Sequence, residues 1–66
     1  MEIKLNGLPK QIPDDVTAAQ LIDILQLTGK RLAVEVNEEI VPRSTYEGYK
    51  LKHGDQVEIV HAIGGG

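Results

Sequence analysis

Residues 16–29 read Val16-Thr17-Ala18-Ala19-Gln20-Leu21-Ile22-Asp23-Ile24-Leu25-Gln26-Leu27-Thr28-Gly29, and they carry one helix marked at both ends. Thr17 is a cap residue, and Gln20, three positions on, can reach back to the Thr17 amide to complete a capping box. Val16 before the cap and Leu21 four residues after it are placed for a hydrophobic staple. Asp14 and Asp15 lie just outside the start, where the positive end of the helix dipole favours acidic groups. Leu21, Ile22 and Leu25 recur at helical spacing, and Ala18 and Ile24 widen the apolar stripe. Gly29 offers a left-handed residue to stop the helix near Thr28. The pattern predicts a helix over 18–27 with one buried face.

Strands surround that helix. Upstream, Ile3 and Leu5 alternate with Glu2 and Lys4, the period of a half-buried strand. Asn6-Gly7 is the pair best suited to a type I′ hairpin turn, because both positions accept positive φ. A second strand follows over 8–12, and Pro9, which cannot donate to a ladder, places it at an edge or makes it irregular there. Downstream, Leu32, Val34 and Val36 alternate with Ala33, Glu35 and Asn37 as a third strand. A polar turn over 37–39 leads to Ile40-Val41, a short fourth strand ended by Pro42. Residues 43–50 show no clean period and read as a loop with a helical turn. His53-Gly54-Asp55 is a turn, and the last strand runs over 56–61 with Val57 and Ile59 inward. One amphipathic helix laid across one face of a mixed sheet is the simplest packing of this order.

Sixty-six residues hold one domain with a thin core, since a chain of about 60 residues buries only about 60% of its unfolded surface. Little room is left for a deep, water-excluding active site, which favours a binding module or a substrate of other enzymes. The chain has no cysteine, so it offers neither a disulfide framework nor thiolate chemistry. Its start lacks the apolar stretch of a signal peptide. No apolar run reaches the roughly 18 residues a spanning helix requires, and the expected compartment is the cytoplasm. Ten acidic and seven basic side chains give a formal charge of −3. The bases are scattered and Tyr46 and Tyr49 are the only aromatics, so the clustered basic face of a nucleic-acid binder is missing. An acidic surface suits docking onto a basic patch of a protein partner.

The side chains show no catalytic constellation. His53 and His61 are the only histidines, too few for a zinc site of three or four convergent ligands. His53 reads as a solvated loop residue, and His61, just before the tail, as a partner contact at most. Asp14-Asp15 and Glu38-Glu39 are adjacent pairs, solvated or pointing apart, with no apolar pocket to split their pKa values. Ser44 has no base partner. No catalytic or metal-binding residue is therefore assigned. The C-terminal run Ala62-Ile63-Gly64-Gly65-Gly66 differs, because a carboxylate behind glycines has no side chain near its reacting carbon. At about 3.3–3.6 Å per residue, three glycines project roughly 10 Å and tolerate the backbone angles that threading a channel demands. Composition leaves two readings open, a threading segment and a frayed end.

From Met1 to Gly66 the chain resembles the ThiS family of sulfur carriers of thiamin biosynthesis. The resemblance rests on Ile3-Lys4-Leu5-Asn6-Gly7, on Val34-Glu35-Val36-Asn37 and on Ile40-Val41-Pro42-Arg43. Above all it rests on Gly54-Asp55-Gln56-Val57-Glu58-Ile59-Val60-His61-Ala62-Ile63-Gly64-Gly65-Gly66. It implies an α+β β-grasp fold of the ubiquitin type, a mixed four- to five-stranded sheet with one main helix on one face and the first and last strands paired at its centre. The domain would be 1–63, with 64–66 as tail. It further implies that Gly66 is adenylated by a ThiF-type activating enzyme, which consumes the ATP, and converted to a thiocarboxylate with sulfur from a cysteine desulfurase. A ThiG-type thiazole synthase would accept that sulfur. Gly64 and Gly65 would thread into the partners. The chain itself would bind no cofactor and would act as a protein cosubstrate rather than an enzyme. In such proteins the exposed sheet face docks the partner. This nominates Val60 with Glu58 beside it, both alternating outward from Val57 and Ile59, and Ile63 as a further anchor. The alternatives are a MoaD-like carrier for molybdopterin synthesis, a ubiquitin-like protein modifier, and, more distantly, a β-grasp regulatory or RNA-binding module.

Overall fold

Five strands and one helix form in the order β1 (Glu2–Leu5), β2 (Leu8–Gln11), α1 (Ala18–Ile24), β3 (Leu32–Val36), β4 (Glu39–Val41) and β5 (Gln56–His61), with a 3-10 turn at Arg43–Thr45. The computed structural model describes residues 1–61, so the expected boundary between residues 63 and 64 lies outside the described residues. The sheet order is β2-β1-β5-β3-β4. β1 and β5 pair in parallel, Lys4 with Gln56 and Leu5 with Val57, and the remaining ladders are antiparallel. The first and last strands therefore meet at the centre of a mixed sheet, with a hairpin on either side.

Both hairpins turn on two left-handed residues. Asn6 and Gly7 have φ of 50° and 85° and place Leu5 opposite Leu8, the geometry of a type I′ turn. Asn37 and Glu38 make the corresponding turn between β3 and β4 with φ of 52° and 70°, and no glycine is involved. β2 carries Pro9 and lies at one edge of the sheet; the three-residue β4 lies at the other and stops before Pro42. Short strands and proline both blunt a sheet edge against stray pairing.

The helix starts as its sequence predicts. Thr17 Oγ1 accepts the Gln20 amide at 3.1 Å, and Gln20 Oε1 accepts the Thr17 amide at 2.9 Å. Its end differs, because α1 stops at Ile24 rather than Leu27. Gln26 turns left-handed with φ of 60°; its amide donates to Asp23 O and the Leu27 amide donates to Ile22 O, each at 2.9 Å. Those two bonds are a Schellman cap, closed by a glutamine one turn before the glycine expected to do it. Gly29, φ 85°, shapes the following loop instead. Because a side chain in the left-handed region costs about 1–2 kcal/mol relative to glycine, Gln26→Gly is expected to stabilise the domain. The gain should be about 0.5–1 kcal/mol after glycine's greater unfolded-state freedom is deducted, readable as a raised urea midpoint. An unchanged or lowered midpoint would mean the cap is not formed.

The core lies between α1 and the inner face of the sheet. Ala18, Leu21 and Ile22 of the helix are buried, as are Ile3, Val34, Val36, Val41, Val57 and Ile59 of the strands, together with Ile12, Val16 and Leu51 from the connections. Among the described residues no polar or charged residue is buried. The stripe is narrower than its sequence suggests: Ile24 is 46% exposed, lying off the face formed by Ala18, Leu21, Ile22 and Leu25, while Leu25 and Leu27 pack against the core. The Leu51 amide donates to Val16 O and the Ala18 amide to Tyr49 O, both at 2.8 Å, which sews the long loop after β4 to the start of the helix.

Candidate functional site

β5 sorts its side chains by alternation. Val57 and Ile59 point into the core at 1% and 6% exposure, while Glu58 and Val60 face the other way. Opposed residues of neighbouring strands share a face, so the register gives the neighbours of these two. Val60 lies opposite Ala33, and Glu58 opposite Glu35, which in turn lies opposite Ile40 of β4. The open face of the sheet therefore carries two adjacent rows, Val60–Ala33 and Glu58–Glu35–Ile40. Val60 is 51% and Ile40 71% exposed, a small apolar patch crossed by two carboxylates. Like charges directly opposite in a ladder destabilise it by a few tenths of a kcal/mol up to about 1. Among the described residues neither carboxylate has a hydrogen-bond or ion-pair partner.

The outward placement of Glu58 and Val60 is as expected. Ile63, Gly64, Gly65 and Gly66 lie outside the described residues. Glu35, Ala33 and Ile40 join the patch although sequence reasoning did not nominate them. Alternation with Val34 and Val36 turns Glu35 outward, but only the register sets it against Glu58.

The remaining candidates stay apart. His53, expected to be merely solvated, accepts the Glu2 amide on Nδ1 at 3.1 Å and so ties its turn to β1. His61 is exposed at the end of β5 opposite Leu32. Asp14, Asp15, Glu38, Glu39 and Ser44 are exposed. No group of three His, Cys, Asp or Glu among the described residues could hold a metal ion. A cavity of about 210 Å³ opens on the helix side between Ile22, Leu27, Leu32, Lys30, Arg43 and Tyr46. Its wall includes Thr28, whose hydroxyl donates to the exposed Asp23 carboxylate at 2.9 Å, and it lies on the helix side of the sheet, away from the patch. No helix of the described residues is long and apolar enough to cross a membrane.

Asn6 is a further residue that sequence reasoning missed in part. Its backbone amide donates to Val57 O at 2.8 Å. Its side chain meets Ile59 twice, with Oδ1 accepting the Ile59 amide at 2.9 Å and Nδ2 donating to the Ile59 carbonyl at 3.3 Å. The hairpin turn and the strand that leads to the glycines are joined through this one side chain.

A mixed sheet of order 2-1-5-3-4 with one helix across one face defines a β-grasp domain of the ubiquitin-like class. The profile of the ThiS family matches residues 3–66. The chain belongs to the ThiS family, the sulfur carriers of thiamin biosynthesis. The sulfur carrier protein ThiS of Bacillus subtilis is 38% identical over 65 residues, which take in 97% of this chain and 98% of that protein. A thiazole synthase of Magnetococcus marinus is 41% identical over 66 residues, all of this chain but only 20% of that protein; the chain thus spans a fifth of that relative's length. Among solved structures, the crystal structure of the thiamine biosynthesis protein ThiS from Geobacter metallireducens superposes with a TM-score of 0.87. It is 28% identical, with 100% of each chain covered.

Proposed function

We propose that this chain carries sulfur on the carboxylate of Gly66. A carboxylate is a poor electrophile, so an activating enzyme of the ThiF type first joins it to the AMP part of ATP with release of pyrophosphate. The terminal sulfur of a persulfide that a desulfurase forms from cysteine then displaces AMP to give an acyl disulfide. A second thiol attacks its S–S bond, forming a disulfide and releasing the thiocarboxylate. A thiazole synthase takes the sulfur from there into the thiazole ring. The carrier contributes no catalytic side chain and binds no cofactor of its own; it is a cosubstrate, and its steps run among cytoplasmic enzymes.

One observation supports this reading above the others. The strand that runs on into Ala62-Ile63-Gly64-Gly65-Gly66 is the central strand of the sheet, and it bears exposed Glu58 and Val60 just before that segment. The recognition surface then lies on the strand that precedes the reacting group by five residues in sequence. A partner that grips the open face already has the glycines at its door, with Gly64 and Gly65 narrow enough to enter a channel and Ile63 as an apolar anchor beside it.

Intact-mass spectrometry after incubation with ATP, cysteine, a cysteine desulfurase and the ThiF-type enzyme tests the proposal. A gain equal to replacing one oxygen by sulfur is expected. An unchanged mass, with the same enzymes loading an authentic carrier, would overturn it. Transfer to lysine amines instead would identify a protein modifier.

The docking face makes its own prediction. Val60→Asp places a third carboxylate in the row beside Glu58 and Glu35 and removes one of the two exposed large apolar side chains of the patch. The KM for the activating enzyme should rise at least about tenfold, the effect of losing a contact worth about 1.4 kcal/mol. The melting curve should hardly move, because substitutions on an open surface usually change stability by less than about 0.5 kcal/mol. An unaltered KM would place docking elsewhere.

A further inference from the structure

Turn geometry alone does not single out asparagine at position 6. The first central position of a type I′ turn accepts Asn, Asp or Gly, and any of them would close the β1–β2 hairpin. What distinguishes asparagine is that its carboxamide carries both a carbonyl and an N–H group, as a peptide unit does. Both are used, one on each backbone polar group of Ile59.

The place where this happens explains its value. β1 pairs with β5 only at Lys4–Gln56 and Leu5–Val57, and then the chain turns away into the hairpin. On the other flank β3 follows β5 all the way to His61. Residues of β5 beyond Val57 would therefore be held on one side only. The Asn6 side chain stands where the next residue of β1 would have paired and extends the ladder to Ile59. The strand is secured on both sides up to two residues before His61.

We propose that Asn6 is a positioning residue for the chemistry of the tail. Resting on the carrier reading above, the inference is that the Asn6–Ile59 clamp fixes the direction in which β5 leaves the sheet. Docking through Glu58 and Val60 then aims residues 62–66 into the partner. Contacts made at the patch accelerate a reaction at Gly66 only if the strand between them keeps its orientation. A misplacement of about 1 Å at a reacting centre can cost about a hundredfold in rate.

Asn6→Gly isolates the clamp, because glycine accepts the φ of 50° at this position and keeps the turn while deleting both side-chain bonds. At a temperature where circular dichroism shows both chains fully folded, hydrogen exchange at the Ile59 amide should speed up at least about tenfold, while the β3 amides of Val34 and Val36 keep their rates. In the loading assay kcat should fall about tenfold with KM within about twofold of the parent. Asn6→Asp, which retains the acceptor for the Ile59 amide and loses the donor, should fall between the two. A kcat equal to the parent's overturns the inference, as does a loss confined to KM or an Ile59 amide that exchanges no faster. A parent chain that cannot be loaded at all defeats the carrier reading itself; a loaded parent with an unimpaired Asn6→Gly defeats this inference alone.

Discussion

Gly66→Ala is expected to leave the thermal unfolding curve of the domain where it was and to reduce ATP-dependent sulfur loading by about a hundredfold or more. If Gly66 reacts inside a channel of the activating enzyme, a methyl group beside its carboxylate displaces that group, and displacement by about 1 Å at a reacting centre is worth about two orders of magnitude. Stability should be spared because, among the described residues, the buried set ends at Ile59. Removing Gly66 asks a different question. Gly65 then carries a carboxylate without any crowding side chain, but it is withdrawn by about 3.3–3.6 Å. If reach and chemistry are both required, the shortened chain is inert despite its open terminus. Normal loading of either variant, read as intact mass against time, would remove Gly66 from its assigned role.

Leu21→Ala should unfold most of what Gly66→Ala leaves intact. Leu21 is 1% exposed and belongs to the only helix among the described residues. Its truncation costs about 2–5 kcal/mol, depending on how far the cavity closes. A 66-residue chain at about 0.05–0.15 kcal/mol per residue has only about 3–10 kcal/mol in all. The midpoint of thermal unfolding should drop by more than about 10 °C, since about 1 kcal/mol shifts a domain of this size by about 4–8 °C. Ile24→Ala, three residues on and 46% exposed, should move it far less. Similar shifts for the two would contradict the seating of α1 on the sheet.

How much of this could be read in the residues depends on the range of the interaction. The Thr17–Gln20 box, the Asn6-Gly7 turn and the alternation of Val57 and Ile59 with Glu58 and Val60 are local, and each lies in the structure as its pattern predicts. The early end of α1 is local too, but it was masked. A glutamine in the left-handed region gives no compositional signal, and Gly29 offered a more conventional stop. The parallel pairing of β1 with β5 joins residues 52 apart, Lys4 to Gln56, which no periodicity encodes; family resemblance supplied it. The opposition of Glu35 and Glu58 and the second duty of Asn6 follow from that register and could not be seen without it. For the candidate site, alternation exposed Glu58 and Val60, whereas the apolar partners Ala33 and Ile40 emerged only when β3 and β4 took their places beside β5.

The central position of β5 also sets a timetable. A ribosome working at about 5–20 residues per second delivers β1, β2, α1, β3 and β4 before it delivers the strand that belongs between them. Until residues 56–61 emerge, the nascent chain owns two separate hairpins, and an isolated two-stranded hairpin is marginal at best in water. Ile3 on one and Val34 and Val36 on the other share only α1 as a wall until β5 joins them into one sheet. Folding is therefore a single late event. A protease that reaches the chain before that event, or cuts within residues 56–61 after it, leaves no folded stub.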